Sequence, residues 1–186
     1  MKSKTFLILI ILILALLIKC QAQTQVVLDP IRMTCKNCNQ MDSQGNKNGL
    51  WVEKYTGGFF LIYYRNNKRE GVFRQYSYGN GLSSLGEYSN GIPCGKWYYF
   101  GGNCELGFTE ENIKLIDTTL ITNENMKANF NMKSYFKSYY PNGIIKSEGQ
   151  ILYNDTPEID FYKIGTWKYY DEKGNLIKTK EENRWG

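Results

Sequence analysis

Cysteines and carboxylates are the side chains of this 186-residue chain best suited to chemistry, and histidine is absent. Without histidine there is no Ser-His-Asp or Cys-His arrangement, no imidazole ligand for zinc, and no general base of the commonest kind. No G-x-x-x-x-G-K-[ST] phosphate loop occurs, and the glycines are scattered at turn-like intervals. Paired carboxylates could still carry out acid–base work such as glycoside hydrolysis. Three pairs qualify: Glu110 with Glu111, Asp155 with Glu158, and Asp171 with Glu172. Each falls in what reads as a loop or turn, where a solvated acid is the plain expectation. The reading is therefore of a non-catalytic chain with no cofactor and no metal, and a hydrolase built on loop carboxylates stands last among its rivals.

The cysteines depend on the compartment. Residues 1–22 read as a secretory signal-peptide helix. Lys2 and Lys4 give a positive start, and Phe6 to Ile18 is an unbroken apolar run. That run is shorter than the roughly 20 residues a membrane span needs. Small residues at Cys20 and Ala22 place cleavage after Ala22; a lipoprotein attachment at Cys20 is disfavoured by Lys19 before it. Export moves Cys35, Cys38, Cys94 and Cys104 towards disulfides. Cys94 and Cys104 flank one hairpin, which suits a bridge across it with Cys35–Cys38 as the other. Alternatively both N-terminal cysteines tie residues 23–48 to the repeats. A four-cysteine zinc site and a redox pair are the competing readings.

Export also changes the charge. The chain has 23 basic and 18 acidic residues, a net +5. Lys2, Lys4 and Lys19 lie in the leader, which leaves 20 against 18, a net +2. That balance gives no warrant for nucleic-acid binding or a polybasic membrane footprint. The basic stretch Arg65–Arg69 sits where a hairpin turn belongs and reads as solvated.

The elements that must position these residues announce themselves by repetition. Gly49-Leu50-Trp51, Gly71-Val72-Phe73, Gly95-Lys96-Trp97 and Gly165-Thr166-Trp167 each lead into a Tyr or Phe within four positions. A fifth copy at Phe136 has Ser134 in place of the glycine. The aromatics favour a pleated surface, and residues two apart share a face, as do Trp51, Glu53 and Tyr55. Turn signals follow at Gly57-Gly58, Asn80-Gly81, Gly101-Gly102, Asn142-Gly143 and Lys173-Gly174-Asn175. Strand, turn, strand is a hairpin, and a lone hairpin is marginal in water, so several must stack. The repeat aromatics Trp51, Phe73, Trp97, Phe136 and Trp167 are the expected core. The fold is all-β.

The organisation reads as a polar lead-in over 23–48, three close repeats over 49–104, an insert over 105–132, further repeats over 133–182, and a tail over 183–186. Within the insert, 111–117 suits either a helical turn or a strand, Thr118 to Thr122 a strand, and Asn123 to Asn125 a turn. The chain has 15 Tyr, 9 Phe and 4 Trp, more rings than one buried face of a short array requires. Tyr55, Tyr64, Tyr76, Tyr98, Tyr139 and Tyr170 are the candidates for a second, binding face. The plain alternative is that these rings stack within the sheet as cross-strand pairs.

The segments Gly49–Tyr55, Gly71–Tyr76, Gly86–Phe100, Phe136–Gly143 and Gly165–Gly174 resemble MORN-type repeats, more narrowly the bacterial variant described as antitoxin-like. The resemblance spans most of 49–182. It implies an elongated open antiparallel sheet of successive hairpins, used for protein or membrane-surface association, with no catalytic residues. An export signal fits poorly with an antitoxin that works inside the cell. The expected function is a secreted or envelope-facing protein–protein interaction module with an unknown protein partner. The alternatives are a module for envelope glycan or lipid, and an antitoxin- or immunity-like protein that neutralises a partner.

Overall fold

The computed structural model describes residues 37–79, 81–116, 130–154 and 161–182. The chain divides between Thr34 and Cys35, and every described residue belongs to the second unit. The leader, Cys20, Cys35, Thr118 to Thr122, Asn123 to Asn125, Asp155, Glu158 and the tail lie outside the described residues.

The described residues form one open antiparallel sheet. Its strands are β1 (Gln40–Met41), β2 (Lys47–Tyr55), β3 (Gly58–Arg65), β4 (Lys68–Arg69), β5 (Gly71–Ser77), β6 (Gly81–Ser89), β7 (Ile92–Phe100), β8 (Leu106–Leu115), β9 (Met132–Tyr139), β10 (Ile145–Tyr153), β11 (Phe161–Tyr170) and β12 (Leu176–Glu182). Strands adjacent in sequence are adjacent in the sheet, except that β5 pairs with β3 and the short β4 also pairs β3. β8 falls in the expected insert, yet it pairs β7 on one side and β9 on the other. Residues 106–115 are thus the return strand of the third hairpin.

Short polar turns make this meander possible. Asn66-Asn67 and Asn90-Gly91 close two-residue hairpins with positive φ at both positions, the geometry that matches strand twist. Another turn recurs four times, over 42–46, 101–105, 140–144 and 171–175. In each, the first residue's N–H reaches the fifth carbonyl and the fourth N–H returns to the first carbonyl. The fourth residue is left-handed: Gly45, Cys104, Gly143 and Gly174. Cys104 is the one without a glycine's freedom. Asp42 and Asp171 brace two of these turns by accepting hydrogen bonds from the backbone N–H groups two and four residues on. The Asn46 N–H for Asp42, and the Asn175 side-chain amide followed by the Asn175 N–H for Asp171, hold both carboxyls below the usual range. That places Asp171 in a structural role.

Most of the core is a row that crosses one face of the sheet; Phe59 and Leu152 are buried on the other face. Trp51 stands opposite Ile62, Phe73 opposite Gly86, Trp97 opposite Glu110, Glu110 opposite Phe136, and Phe136 opposite Gly149. Trp51, Phe73, Trp97, Phe136 and Trp167 are all buried. They seed two clusters, Trp51–Ile62–Phe73–Trp97–Tyr99 and Met132–Phe136–Ile151–Tyr153–Trp167, with Phe108 and Ile113 packed against both. Neighbouring rings touch throughout: Phe73 to Trp97 at 5.4 Å, Tyr99 to Phe108 at 4.2 Å, Phe108 to Phe136 at 5.0 Å. Each such pair adds about 0.5–1.5 kcal/mol beyond its buried area.

The glycine two before each Trp or Phe has a definite task. Gly49, Gly71, Gly95 and Gly165 have φ of 77°, 74°, 68° and 64°, a region that costs other residues about 1–2 kcal/mol. At Gly95 and Gly165 the pairing slips, so that one residue of the preceding strand faces several of the next. Such a bulge bends the strand and re-aims its side chains. Before Phe136 the left-handed residue sits on the other strand, at Asn112 of β8 (φ 57°), where the β8–β9 register slips. Ser134 can therefore replace glycine.

Candidate functional site

The two faces of the sheet differ in kind. The ladder face carries the Trp row. A lysine four residues before each terminal Trp closes the row's ends. Lys47 Nζ lies 4.4 Å from the Trp51 ring centre and 4.8 Å from that of Tyr64. Lys163 Nζ lies 4.2 Å from Trp167 and 5.1 Å from Tyr169. Lys47 also binds Glu53 at 2.7 Å, and Glu53 accepts from the Tyr64 hydroxyl at 3.0 Å. Burial opposes the charge on Glu53, but these two donors outweigh it and hold the carboxyl low.

Of the six tyrosines expected on a second face, two belong to the ladder face. Tyr55 stacks on Phe60 at 4.8 Å, and Tyr64 meets Trp51 edge-on at 5.8 Å. The alternation explains it: Tyr55 shares the Trp51 face of β2, and Tyr64 shares the face of Ile62, which opposes Trp51. Tyr76, Tyr98, Tyr139 and Tyr170 do lie on the opposite face. There Val52, Leu61, Arg74, Leu85, Tyr98, Thr109, Lys137, Glu148 and Lys168 follow one another in register across successive strands. Arg74 apart, the first half of that row is apolar and aromatic; Thr109 apart, the second is charged. Tyr63, on the same face, is 49% exposed, and the repeat motif does not mark it.

Some of these tyrosines are tied down. Tyr76 stacks on Phe59 at 4.9 Å. Tyr139 shares a 3.1 Å hydrogen bond with Thr109. Tyr170 donates to Glu148 at 2.7 Å, and that bond with the nearby negative charge pushes its phenol up to about 12. Tyr98, half-buried and beside Lys96, has no such tether among the described residues.

The acids separate as well. Glu110 and Glu111 are consecutive on β8, not in a loop, and so point to opposite faces. Glu111 pairs with Lys137 at 3.1 Å. Glu110 is 1% exposed, the one fully buried carboxylate among the described residues, at the junction of the two clusters. Tyr99 donates to its Oε1 at 2.9 Å and Ser134 to its Oε2 at 3.1 Å, with the Tyr153 hydroxyl 3.5 Å away. Burial and this carboxylate push the Tyr153 phenol strongly upward. Two acids on opposite faces cannot flank one scissile bond, so Glu110 and Glu111 do not form a glycosidase-like pair. Among the described residues no buried side-chain N or O lacks a partner.

The cysteines are also sorted. Cys38 is in a disulfide whose partner lies outside the described residues, which removes it from any four-thiolate zinc site. Cys94 is a free thiol, raised by burial and by Glu87 and Glu70. The expected Cys94–Cys104 bridge is not made. Strand β7 runs between the two residues, and six extended residues already span about 20 Å, far beyond the roughly 7 Å limit for a disulfide.

A cleft of about 450 Å³ opens beside the ladder, lined by Arg69, Tyr88, Ile92, Pro93, Leu115 and Met132. Arg69 lies over the Tyr88 ring at 5.3 Å and donates to its hydroxyl at 3.2 Å. Burial pushes that phenol up, so it stays a neutral hydroxyl.

No family model, no curated protein and no solved structure matches this chain.

Proposed function

We propose that the chain is a non-catalytic binding module, secreted or facing the cell envelope, that holds a protein partner against the tyrosine-bearing face of its sheet. The observation that supports this reading is the division of labour between faces. The ladder face spends its rings on one another, and on the opposite face Phe59, stacked on Tyr76, and Leu152 are buried. The opposite face keeps Val52, Leu61, Leu85 and Tyr98 only partly covered, with Tyr63 exposed beside them. A Tyr-rich, weakly charged centre with Arg74 in it and a charged margin at Lys137, Glu148 and Lys168 is the composition of an interface core and rim. The MORN-type resemblance points the same way, as does the leader reading, which places the partner outside the cytoplasm.

The test is affinity capture from envelope extract with the wild-type protein and with Tyr63→Ala/Tyr98→Ala. A partner retained by the first and lost by the second, at unchanged folding, supports the reading. Binding to isolated peptidoglycan or to protein-free liposomes, with no protein captured, would replace it by the glycan- or lipid-binding alternative.

A further inference from the structure

The two ends of the sheet are finished differently. At the first end, β2 would present a row of unpaired backbone groups, but the chain before it fills them. β1 pairs with Lys47 and Asn48. Asn39, held at a left-handed φ of 58°, donates its backbone N–H to the Leu50 carbonyl at 2.9 Å. Its side-chain amide then completes Val52 on both counts: Oδ1 accepts from the Val52 N–H at 2.7 Å, and Nδ2 donates to the Val52 carbonyl at 3.2 Å. One side chain thus does what a neighbouring strand would do, and the edge is closed to strand addition.

The last strand has no such plug. β12 pairs with β11 on one side and, among the described residues, with nothing on the other. All of its residues but Glu182 are exposed, Leu176 at 55% and Ile177 at 66%. An unpaired edge with exposed aliphatic side chains is a template for another strand. Its charges run in order: Lys178 and Lys180, then Glu181 and Glu182. An antiparallel copy of the same strand brings its acidic end to this strand's basic end.

We infer that β12 is a self-association edge, and that two copies of this chain join there, antiparallel, into one continuous sheet. A two-fold axis normal to the sheet keeps each residue on its own face. Residues opposite one another must then share a face. Lys178 of each copy meets Glu182 of the other, and Lys180 meets its counterpart on the axis. Lys180 already carries its own counter-charge, Glu182 at 2.7 Å, which tempers that central contact. Because Asn39 closes β2, the association stops at two: the contact is isologous and does not propagate.

Sedimentation equilibrium of the purified full chain reads the outcome. A concentration-dependent dimer is expected. Glu181→Lys/Glu182→Lys should sediment as a monomer, and so should Lys178→Glu/Lys180→Glu, while a mixture of the two variants should regain the dimer mass. Lys180→Cys should cross-link to its own kind on oxidation, and Lys54→Cys on β2 should not. Lys178, Lys180 and Glu181 are exposed, while Glu182 is partly covered and accepts from the Tyr169 hydroxyl, so the urea unfolding midpoint of each variant is matched to wild type before its mass is read. A wild-type monomer at every concentration overturns the inference. So does a dimer that neither charge reversal weakens, or one that cross-links at Lys54→Cys instead.

Discussion

The indole of Trp97 lies flat against Gly86: a Cβ built on that glycine would stand 2.1 Å from the ring, at Cδ2. Trp167 and Gly149 repeat the relationship at 2.5 Å. In both cases the glycine faces a Phe on its other side, Phe73 and Phe136, so each half of the sheet is built round a Phe–Gly–Trp sandwich. Single-layer burial depends on it, since a ring can only lie down over a residue with no side chain.

Gly86→Ala and Gly149→Ala should therefore each lower stability by about 1–3 kcal/mol or more, as overpacking does where the neighbour cannot yield. Gly95→Ala meets nothing within 4 Å and should cost only the left-handed backbone, about 1–2 kcal/mol. Urea unfolding midpoints of the three variants check the order.

Removing a ring should cost more. Trp97→Ala and Trp167→Ala leave holes in the two clusters and should lose about 3–5 kcal/mol each. The lysines that close the row contribute less: Lys163→Gln should cost about 0.5–2 kcal/mol, the range of a partly desolvated cation over an indole. The same urea titrations separate the two classes.

Ser134 is 2% exposed and donates to the buried Glu110. Ser134→Ala removes one hydrogen bond to this buried carboxylate and should cost about 1–3 kcal/mol. Exposed Ser89→Ala should stay within about 0.5 kcal/mol of wild type. Thermal unfolding of the pair provides the comparison.

Alkali should weaken the fold in a defined window. Tyr170 ionises ordinarily at 10.0 and in the fold at about 12. The folded chain therefore keeps a proton that the unfolded chain gives up. The stabilisation is complete below pH 10.0 and is lost as the pH rises towards about 12. Tyr88, Tyr135 and Tyr153 are shifted in the same direction, chiefly by burial. Tyr170→Phe should lessen the fall in unfolding midpoint across that window, measured against wild type at matched pH. An unchanged slope would remove Glu148–Tyr170 as a contributor.

Asn39→Ala should open the β2 edge. If that side chain is what closes the edge, light scattering should show growth beyond two copies with rising concentration. A variant that stays at the wild-type mass would mean that β1 alone suffices.

Much of this architecture could be read from residue order. Gly-x-Trp followed by Tyr, repeated with turn residues between, marks strands whose alternate side chains share a face, because the pleat has a period of two. That arithmetic located Trp51, Phe73, Trp97, Phe136 and Trp167 in one buried row, and it located the Asn66-Asn67 turn inside a basic stretch. It could not show which glycines receive a ring, since Gly86 and Gly95 look alike in sequence and only cross-strand register sets Gly86 beneath Trp97. Nor could it reveal that Glu110 enters the ladder. Two adjacent acids look like a solvated loop until β8 is paired on both sides and one of them must point inward. Tyr55 and Tyr64 went to the core face, and Cys94 and Cys104 to opposite ends of a strand, for the same reason. Periodicity decides which side chains travel together; only pairing between strands decides what they meet.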